Sequence, residues 1–90
     1  MKRPEFDYVK TVEELGELSH EVCKLLINNK NIENLIEEIA HAEVQIEFLK
    51  NYINYKDLYK KIFIEKSKRR EIIISKLKEE NQEKFIKYYL

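Results

Sequence analysis

The sequence contains few of the residues that interrupt helices or cross-link chains. Its 90 residues include one cysteine, one proline, one glycine and no tryptophan. A single cysteine, Cys23, excludes an internal disulfide, which is typical of a reducing compartment, and we interpret it as a small core residue. After Pro4 no proline breaks a helix, and the turn residues that a β-sheet needs are missing. The chain is therefore predicted to be all-α.

Charge and hydropathy exclude several classes of partner. Lysine and arginine together number 17, and so do aspartate and glutamate, so the formal net charge is zero. A balanced chain gives no reason to expect nucleic acid or an anionic membrane as a partner. The longest apolar runs, such as residues 72–74, are far too short to span a bilayer, and no signal peptide is recognised at the start. We therefore expect a cytoplasmic protein with no membrane and no nucleic acid among its partners.

Two asparagine-rich segments, at 28–31 and 51–55, divide the chain into predicted helices, because asparagine serves at both ends of a helix. We predict three helices, at about 5–28, 31–53 and 56–80. The tail at 83–90 either continues the third helix or forms a separate turn. The short first loop makes an antiparallel hairpin. Ninety residues form a single domain with a marginal core, so we predict a four-helix-bundle-type core completed by oligomerisation.

Acidic side chains lie on defined faces of the first two predicted helices. At 100° per residue, the polar faces comprise Glu14, Glu17 and Glu21 on the first helix, and Glu38, His41 and Gln45 on the second. The second row lies between two apolar columns, so helix packing is expected to cover it. A covered carboxylate needs a partner because an unpaired buried charge is costly. Mg²⁺ and Mn²⁺ favour carboxylate oxygens, so the pattern predicts a divalent-metal site.

The alternative is a solvated row of glutamates that pair with lysines along the helix. Between Val12 and Leu49 the sequence has nine glutamates and two lysines. This imbalance favours the metal site, although the solvated face stays open for the first helix taken by itself.

The order of these residues resembles a known family. The segments EELGEL at 13–18 and NLIEEIA at 34–40 are similar to the MazG-like all-α nucleoside triphosphate pyrophosphohydrolases of short phage and bacterial type. The pattern of that family is E-E-x-x-E, then a spacer, then E-x-x-D. The resemblance covers about residues 8–53 and more loosely the helix that follows.

The resemblance implies a hydrolase that completes its four-helix arrangement with a second protomer, as a homodimer or a dimer of dimers. Glu14, Glu17 and Glu38 would be the catalytic metal ligands. Mg²⁺ would bridge a nucleoside or deoxynucleoside triphosphate, and water would attack between the α and β phosphates. The expected products are a nucleoside monophosphate and pyrophosphate.

One position departs from the family pattern, because His41 stands where the fourth ligand is an aspartate. An imidazole removes one negative charge and prefers softer ions, so the metal preference moves toward Mn²⁺ or another transition metal, or catalysis is weakened. A protein that binds and sequesters nucleotides without cleaving them is the first alternative. Glu17 with His20, and Glu38 with His41, also form two E-x-x-H motifs, which are typical of ferritin-like di-iron bundles. A helical interaction module without a ligand is the last alternative.

Two further groups of residues are candidates for nucleotide binding. A basic cluster in the third helix is expected to reach the phosphates, unless it is a solvated face; it comprises Lys66, Lys68, Arg69 and Arg70. Tyr52 and Tyr55, at the open end of the hairpin, are candidates for stacking on a base, unless they close a core or a dimer interface.

Overall fold

The fold was obtained as a computed structural model, which describes residues 1–29 and 31–90. It contains α1 (Arg3–Leu26), α2 (Ile32–Lys50), α3 (Leu58–Glu79) and a C-terminal 3₁₀ helix (Glu83–Tyr89). These ranges contain no β-strand, so the all-α prediction is confirmed. The predicted helices begin and end within one to three residues of the observed bounds. The tail forms a separate turn of helix and does not continue α3.

Asparagine residues lie at the ends of helices, and the first of them falls in the predicted break at 28–31. Asn28 and Asn81 each adopt a left-handed φ of 57°, just after α1 and α3. Asparagine tolerates this conformation better than most residues, so it serves as a helix stop. The side chain of Asn31 accepts a hydrogen bond from the backbone N–H of Asn34 at 3.2 Å, which caps the start of α2.

The chain divides into two compact units, Met1–Ile53 and Asn54–Leu90. In the first unit α1 and α2 form the predicted antiparallel hairpin, since Asp7 near the start of α1 contacts Gln45 late in α2. In the second unit α3 packs on the 3₁₀ helix. A single domain over residues 1–90 stays a prediction. None of the helices in the described ranges combines the length and the apolar character needed to cross a membrane.

The contact between α1 and α2 is polar. Its buried residues are Asp7, Thr11, Glu14 and Glu21 on α1, and Ala42 and Gln45 on α2. Ala42 is the only buried apolar residue in the described part of the chain, and its small side chain lets the two helices approach. Helix packing was expected to bury the polar row on α2. This is confirmed for Gln45 and for Glu38, whose side chain is 18% exposed, whereas the side chain of His41 is 54% exposed.

The apolar side chains of the hairpin lie mostly on its outer faces. Exposed examples are Val9, Val12, Leu15 and Val22 on α1, and Ile32, Ile39, Val44, Ile46 and Phe48 on α2. Cys23 is also exposed, so its interpretation as a core residue is wrong. The physical reason is that α2 packs on the polar side of α1 and leaves the apolar side of that helix uncovered.

Candidate metal centre

Four side chains converge midway along the hairpin. One ligand atom from each of Glu14, Glu17, Glu38 and His41 lies within 4.8 Å of all the others. Each helix supplies two of these residues at a spacing of three, which places both side chains on the same face one turn apart. Because the helices are antiparallel, the two pairs face each other. We refer to these four residues as the carboxylate cluster.

Two carboxylate oxygens of the cluster are buried and unpaired. The Oε2 atoms of Glu14 and Glu38 have no hydrogen-bond partner among the residues that the structure describes. The Nδ1 atom of His41 lies 3.5 Å from the first oxygen and 3.8 Å from the second, which is an ion-pair distance but too long for a strong hydrogen bond. Lys10 lies 3.6 Å from the other Glu14 oxygen. The atoms that point into the cluster therefore lack the partners that buried oxygens require.

The carboxyl groups of the cluster lie close enough to raise the pKa of one of them. Burial is the largest cause that raises the pKa of Glu38 above its ordinary value of 4.5. Glu17 raises this pKa further through a hydrogen bond and through charge repulsion, and His41 opposes the shift. A group of this kind is more stable when it holds a proton or binds a cation.

The donor set fits a divalent cation. Ligands on opposite sides of an octahedral ion with bonds of about 2.1 Å are separated by roughly 4.2 Å. The greatest separation in the cluster, 4.8 Å, differs from this value by an amount that side-chain rotation can remove. Three carboxylates suit Mg²⁺ and Mn²⁺, while the imidazole of His41 is better suited to Mn²⁺, Zn²⁺ or Co²⁺.

A second polar network lies one to two turns away, and it was not predicted from the sequence. The Asp7 side chain, only 2% exposed, accepts hydrogen bonds from the hydroxyl of Tyr52 and from Nε of Arg3 at 3.2 Å. The Nε2 atom of Gln45 donates to the Asp7 carbonyl oxygen at 3.3 Å and to its carboxylate at 3.5 Å. The Tyr52 hydrogen bond is the main cause that lowers the pKa of Asp7, with Arg3 contributing and burial opposing. Asp7 is thus held as a carboxylate with partners. The spacing of Asp7, Thr11 and Glu14 on one helical face was the available signal for its burial.

A cleft of about 230 Å³ adjoins the carboxylate cluster and is lined by Glu14, Ala40, His41, Val44 and Gln45. It therefore shares Glu14 and His41 with the cluster. It shares Gln45 with the hydrogen-bonded group of Asp7, Arg3, Gln45 and Tyr52, which we refer to as the Asp7 network. The cleft offers apolar surface from α2 beside charged and amide groups.

The other predicted site residues have different surroundings. The Tyr52 hydroxyl is bonded to Asp7, and its ring meets Tyr8 edge to face with centroids 5.9 Å apart, whereas Tyr55 is exposed. Base stacking by Tyr52 and Tyr55 stays a prediction. His20 is exposed and does not belong to the carboxylate cluster, so the first E-x-x-H motif does not contribute its histidine there.

The predicted phosphate-binding residues Lys66, Lys68, Arg69 and Arg70 are exposed on α3, in the second unit. Lys68 lies 3.3 Å from Glu65, which is the kind of pairing that a solvated face makes. Their contact with phosphate stays a prediction.

Gly16, which contributes to the family resemblance, is not required by the packing of the hairpin. A Cβ atom added at this position would meet nothing within 4 Å.

Comparisons with protein-family models, with curated proteins and with solved structures find no match to this chain.

The raised pKa of Glu38 predicts how pH changes the stability of the metal-free protein. Because the folded-state pKa lies above the unfolded value, this residue's favourable contribution is present below about pH 4.5 and is lost as pH rises through the folded pKa. Glu38→Gln should therefore raise the thermal midpoint at pH 7 by a few degrees and leave it nearly unchanged at pH 4. Thermal unfolding followed by circular dichroism in the presence of a chelator measures both values.

The matched control is Glu37→Gln, which changes the neighbouring exposed glutamate and should shift the midpoint little at either pH. Excess Mn²⁺ should reverse the order of the wild type and Glu38→Gln, since an ion that binds only the folded wild type stabilises it. Equal midpoints for the wild type and Glu38→Gln at pH 7, with and without Mn²⁺, would contradict the repulsion between the carboxylates of the cluster.

Proposed function

We propose that this protein is a divalent-metal-dependent nucleotide pyrophosphohydrolase, which cleaves a nucleoside or deoxynucleoside triphosphate to the monophosphate and pyrophosphate. The observation that carries the proposal is the carboxylate cluster, with its buried and unpaired oxygens on Glu14 and Glu38. The order of the acidic motifs, which resembles the MazG-like pyrophosphohydrolases, supports the choice of reaction over other uses of a metal.

Glu14, Glu17, Glu38 and His41 would hold the cation. When bound, a divalent cation neutralises phosphate charge and activates water as a nucleophile. In the proposed reaction the water oxygen forms a bond to the α-phosphorus. The bond between the α-phosphorus and the oxygen that bridges the α and β phosphates breaks. Pyrophosphate leaves, and the proton from the water passes to solvent.

The acidic character of the hairpin makes the cation necessary for binding as well as for chemistry. A triphosphate is repelled by three carboxylates within 4.8 Å of one another, unless a cation lies between the two sets of oxygens. The basic residues of α3 are proposed to add attraction for the phosphates.

A second candidate function follows from His41. A neutral imidazole leaves the cation with more residual positive charge than an aspartate would, which favours tight binding of the phosphates as well as a change of metal. Nucleotide sequestration without turnover is therefore the alternative that the cluster itself supports. The di-iron alternative is less favoured, because His20 lies outside the cluster.

We further propose that the protein works as a homo-oligomer, assembled from dimers. Ile32, Ile39 and Ile46 recur at seven-residue steps along α2 and are 51%, 40% and 37% exposed. A seven-residue apolar repeat is typical of a seam between packed helices, and apolar surface of this kind on a small domain marks a contact with another chain. A seam on these isoleucines leaves the cleft beside His41 accessible to a ligand.

Pyrophosphate release from a panel of ribo- and deoxynucleoside triphosphates, with Mg²⁺ or Mn²⁺, tests the proposed reaction. We expect one pyrophosphate and one monophosphate per substrate consumed. Glu38→Ala should lower kcat/KM by at least about 100-fold, because it removes a metal ligand. Glu37→Ala, at the adjacent exposed position, should retain activity.

The outcomes of this panel separate the alternatives. Nucleotide binding without turnover would indicate that the protein sequesters nucleotides and does not hydrolyse them. Purified protein with stoichiometric iron and an oxo-bridged iron absorption band would indicate the di-iron bundle. A folded protein that neither binds nor cleaves any nucleotide with either metal would contradict the proposal.

His41→Asp should raise the Mg²⁺-dependent activity, by about tenfold if the added carboxylate contributes ~1.4 kcal/mol to the transition state. The physical reason is that a hard oxygen ligand with a negative charge binds Mg²⁺ better than an imidazole does. His20→Asp provides the control, because His20 is exposed and outside the cluster. No gain in activity for a folded His41→Asp would count against the assignment of His41 as a ligand.

A further inference from the structure

We propose that the carbonyl oxygen of Gln45 is a fixed hydrogen-bond acceptor in the cleft beside the carboxylate cluster, and that it selects ligands presenting an N–H or O–H donor there. The inference rests on the proposed function, because the ligand concerned is the base or sugar of the nucleotide whose phosphates meet the cation. It assigns to the Asp7 network a role in specificity.

The position of Gln45 links the cleft to the Asp7 network. Gln45 lines the cleft together with His41, which lies one helical turn earlier on α2, and with Glu14 from α1. Residues four apart on a helix are neighbours on one face, with Cβ atoms about 5–6 Å apart. A group that contacts Gln45 is therefore held within a few ångströms of a cation bound by His41 and Glu14. In a nucleotide the sugar, with the base attached to it, lies at about this distance from the α-phosphate.

The orientation of the Gln45 amide follows from its partners. Its nitrogen lies 3.3 Å from the carbonyl oxygen of Asp7 and 3.5 Å from the Asp7 carboxylate, and both of these groups accept hydrogen bonds without donating any. Thr11 donates to the same carbonyl oxygen at 2.7 Å, so that oxygen is confirmed as an acceptor by a second donor. An amide rotated by 180° would set oxygen against oxygen and is excluded.

The Asp7 carboxylate is itself prevented from becoming a donor. Tyr52 and Arg3 both donate to it, and these contacts favour its ionised form, in keeping with its lowered pKa. The side chains of Arg3 and Tyr52 therefore act on Gln45 through Asp7, as positioning residues. The remaining polar atom of the amide is the oxygen Oε1, and no donor among the described residues is bonded to it.

The complementary ligand chemistry is a donor beside an apolar surface. Ala40 and Val44 form the apolar wall of the cleft, so a ligand that fills the cleft displaces water from beside the Gln45 oxygen. Two parts of a nucleotide supply such a donor: a ring or amino N–H of the base, and a hydroxyl of the sugar. A ligand that fills the cleft without offering a donor would separate this oxygen from water and leave it unpaired, which is the basis of selection against that ligand.

Binding measured by calorimetry on the full chain with Mn²⁺ tests the proposal. The probes are inorganic tripolyphosphate, a nucleoside triphosphate made uncleavable by a methylene group between its α and β phosphates, and analogues of that nucleotide that lack one donor at a time. The 2′-deoxy and 2′,3′-dideoxy nucleotides remove sugar hydroxyls, and N-methylated bases remove N–H donors. We expect one of these deletions to weaken binding to the wild type by about 3- to 10-fold, which identifies whether the base or the sugar supplies the donor.

Gln45→Met should remove that discrimination and leave the affinity for tripolyphosphate unchanged, because the methionine has a similar length without the amide. Tyr52→Phe, which keeps the ring and removes one donor to Asp7, should reduce the discrimination in part. Gln82→Met, at an exposed glutamine near the C-terminal 3₁₀ helix, should behave as the wild type.

The outcomes distinguish this inference from the function on which it rests. If the wild type binds tripolyphosphate and nucleotides but no donor deletion weakens binding, or if a folded Gln45→Met keeps the full discrimination, the acceptor role is refuted and the metal–phosphate site stands. If neither tripolyphosphate nor any nucleotide binds in the presence of Mn²⁺, the proposed function fails and this inference fails with it.

Discussion

The fold of the hairpin depends on how α1 and α2 accommodate acids in the contact between them. Helices usually meet through apolar side chains, but here the buried residues at the contact include Asp7, Glu14 and Glu21, and Ala42 is the one apolar member among the described residues. Removing a carboxylate from water is costly unless a donor or a cation replaces the lost hydration. The positions of the carboxylate cluster and of the hydrogen bonds around Asp7 follow from this constraint.

The same helix contact meets the constraint in two different ways. The carboxylate of Asp7 is supplied with donors by Arg3, Gln45 and Tyr52, from both helices and from the segment after α2. One to two turns along, the buried Oε2 atoms of Glu14 and Glu38 receive no hydrogen bond from the described residues. Glu21, outside the cluster, also has an unpaired Oε2 atom, but its other oxygen is paired with Lys24 at 3.0 Å. The hairpin thus satisfies a buried acid where its own side chains suffice. Where its side chains do not supply enough donors, a cation is the simplest partner for the buried carboxylate oxygens. The difference between Asp7 and the carboxylate cluster is therefore the strongest physical reason for a metal at the cluster.

The parts of the structure that depend on local geometry were predictable from the sequence. Helical periodicity places Glu38 and His41 on one face, and asparagines such as Asn28 mark the breaks. The link from Asp7 to Tyr52 was not predictable, because it depends on the register between two helices and joins residues 45 positions apart. The exposure of Cys23 was missed for a related reason. An apolar arc that spans most of α1 does not show which side the next helix covers.

The most direct test of the account is whether Mn²⁺ bound to the intact chain is coordinated by His41. Electron spin echo modulation of the bound ion reports a directly coordinated nitrogen. The account predicts one Mn²⁺ site with histidine nitrogen modulation that disappears in His41→Ala and persists in His20→Ala. Stoichiometric Mn²⁺ binding without nitrogen modulation, or modulation that survives His41→Ala, would contradict the convergence of the two helix pairs on a shared cation.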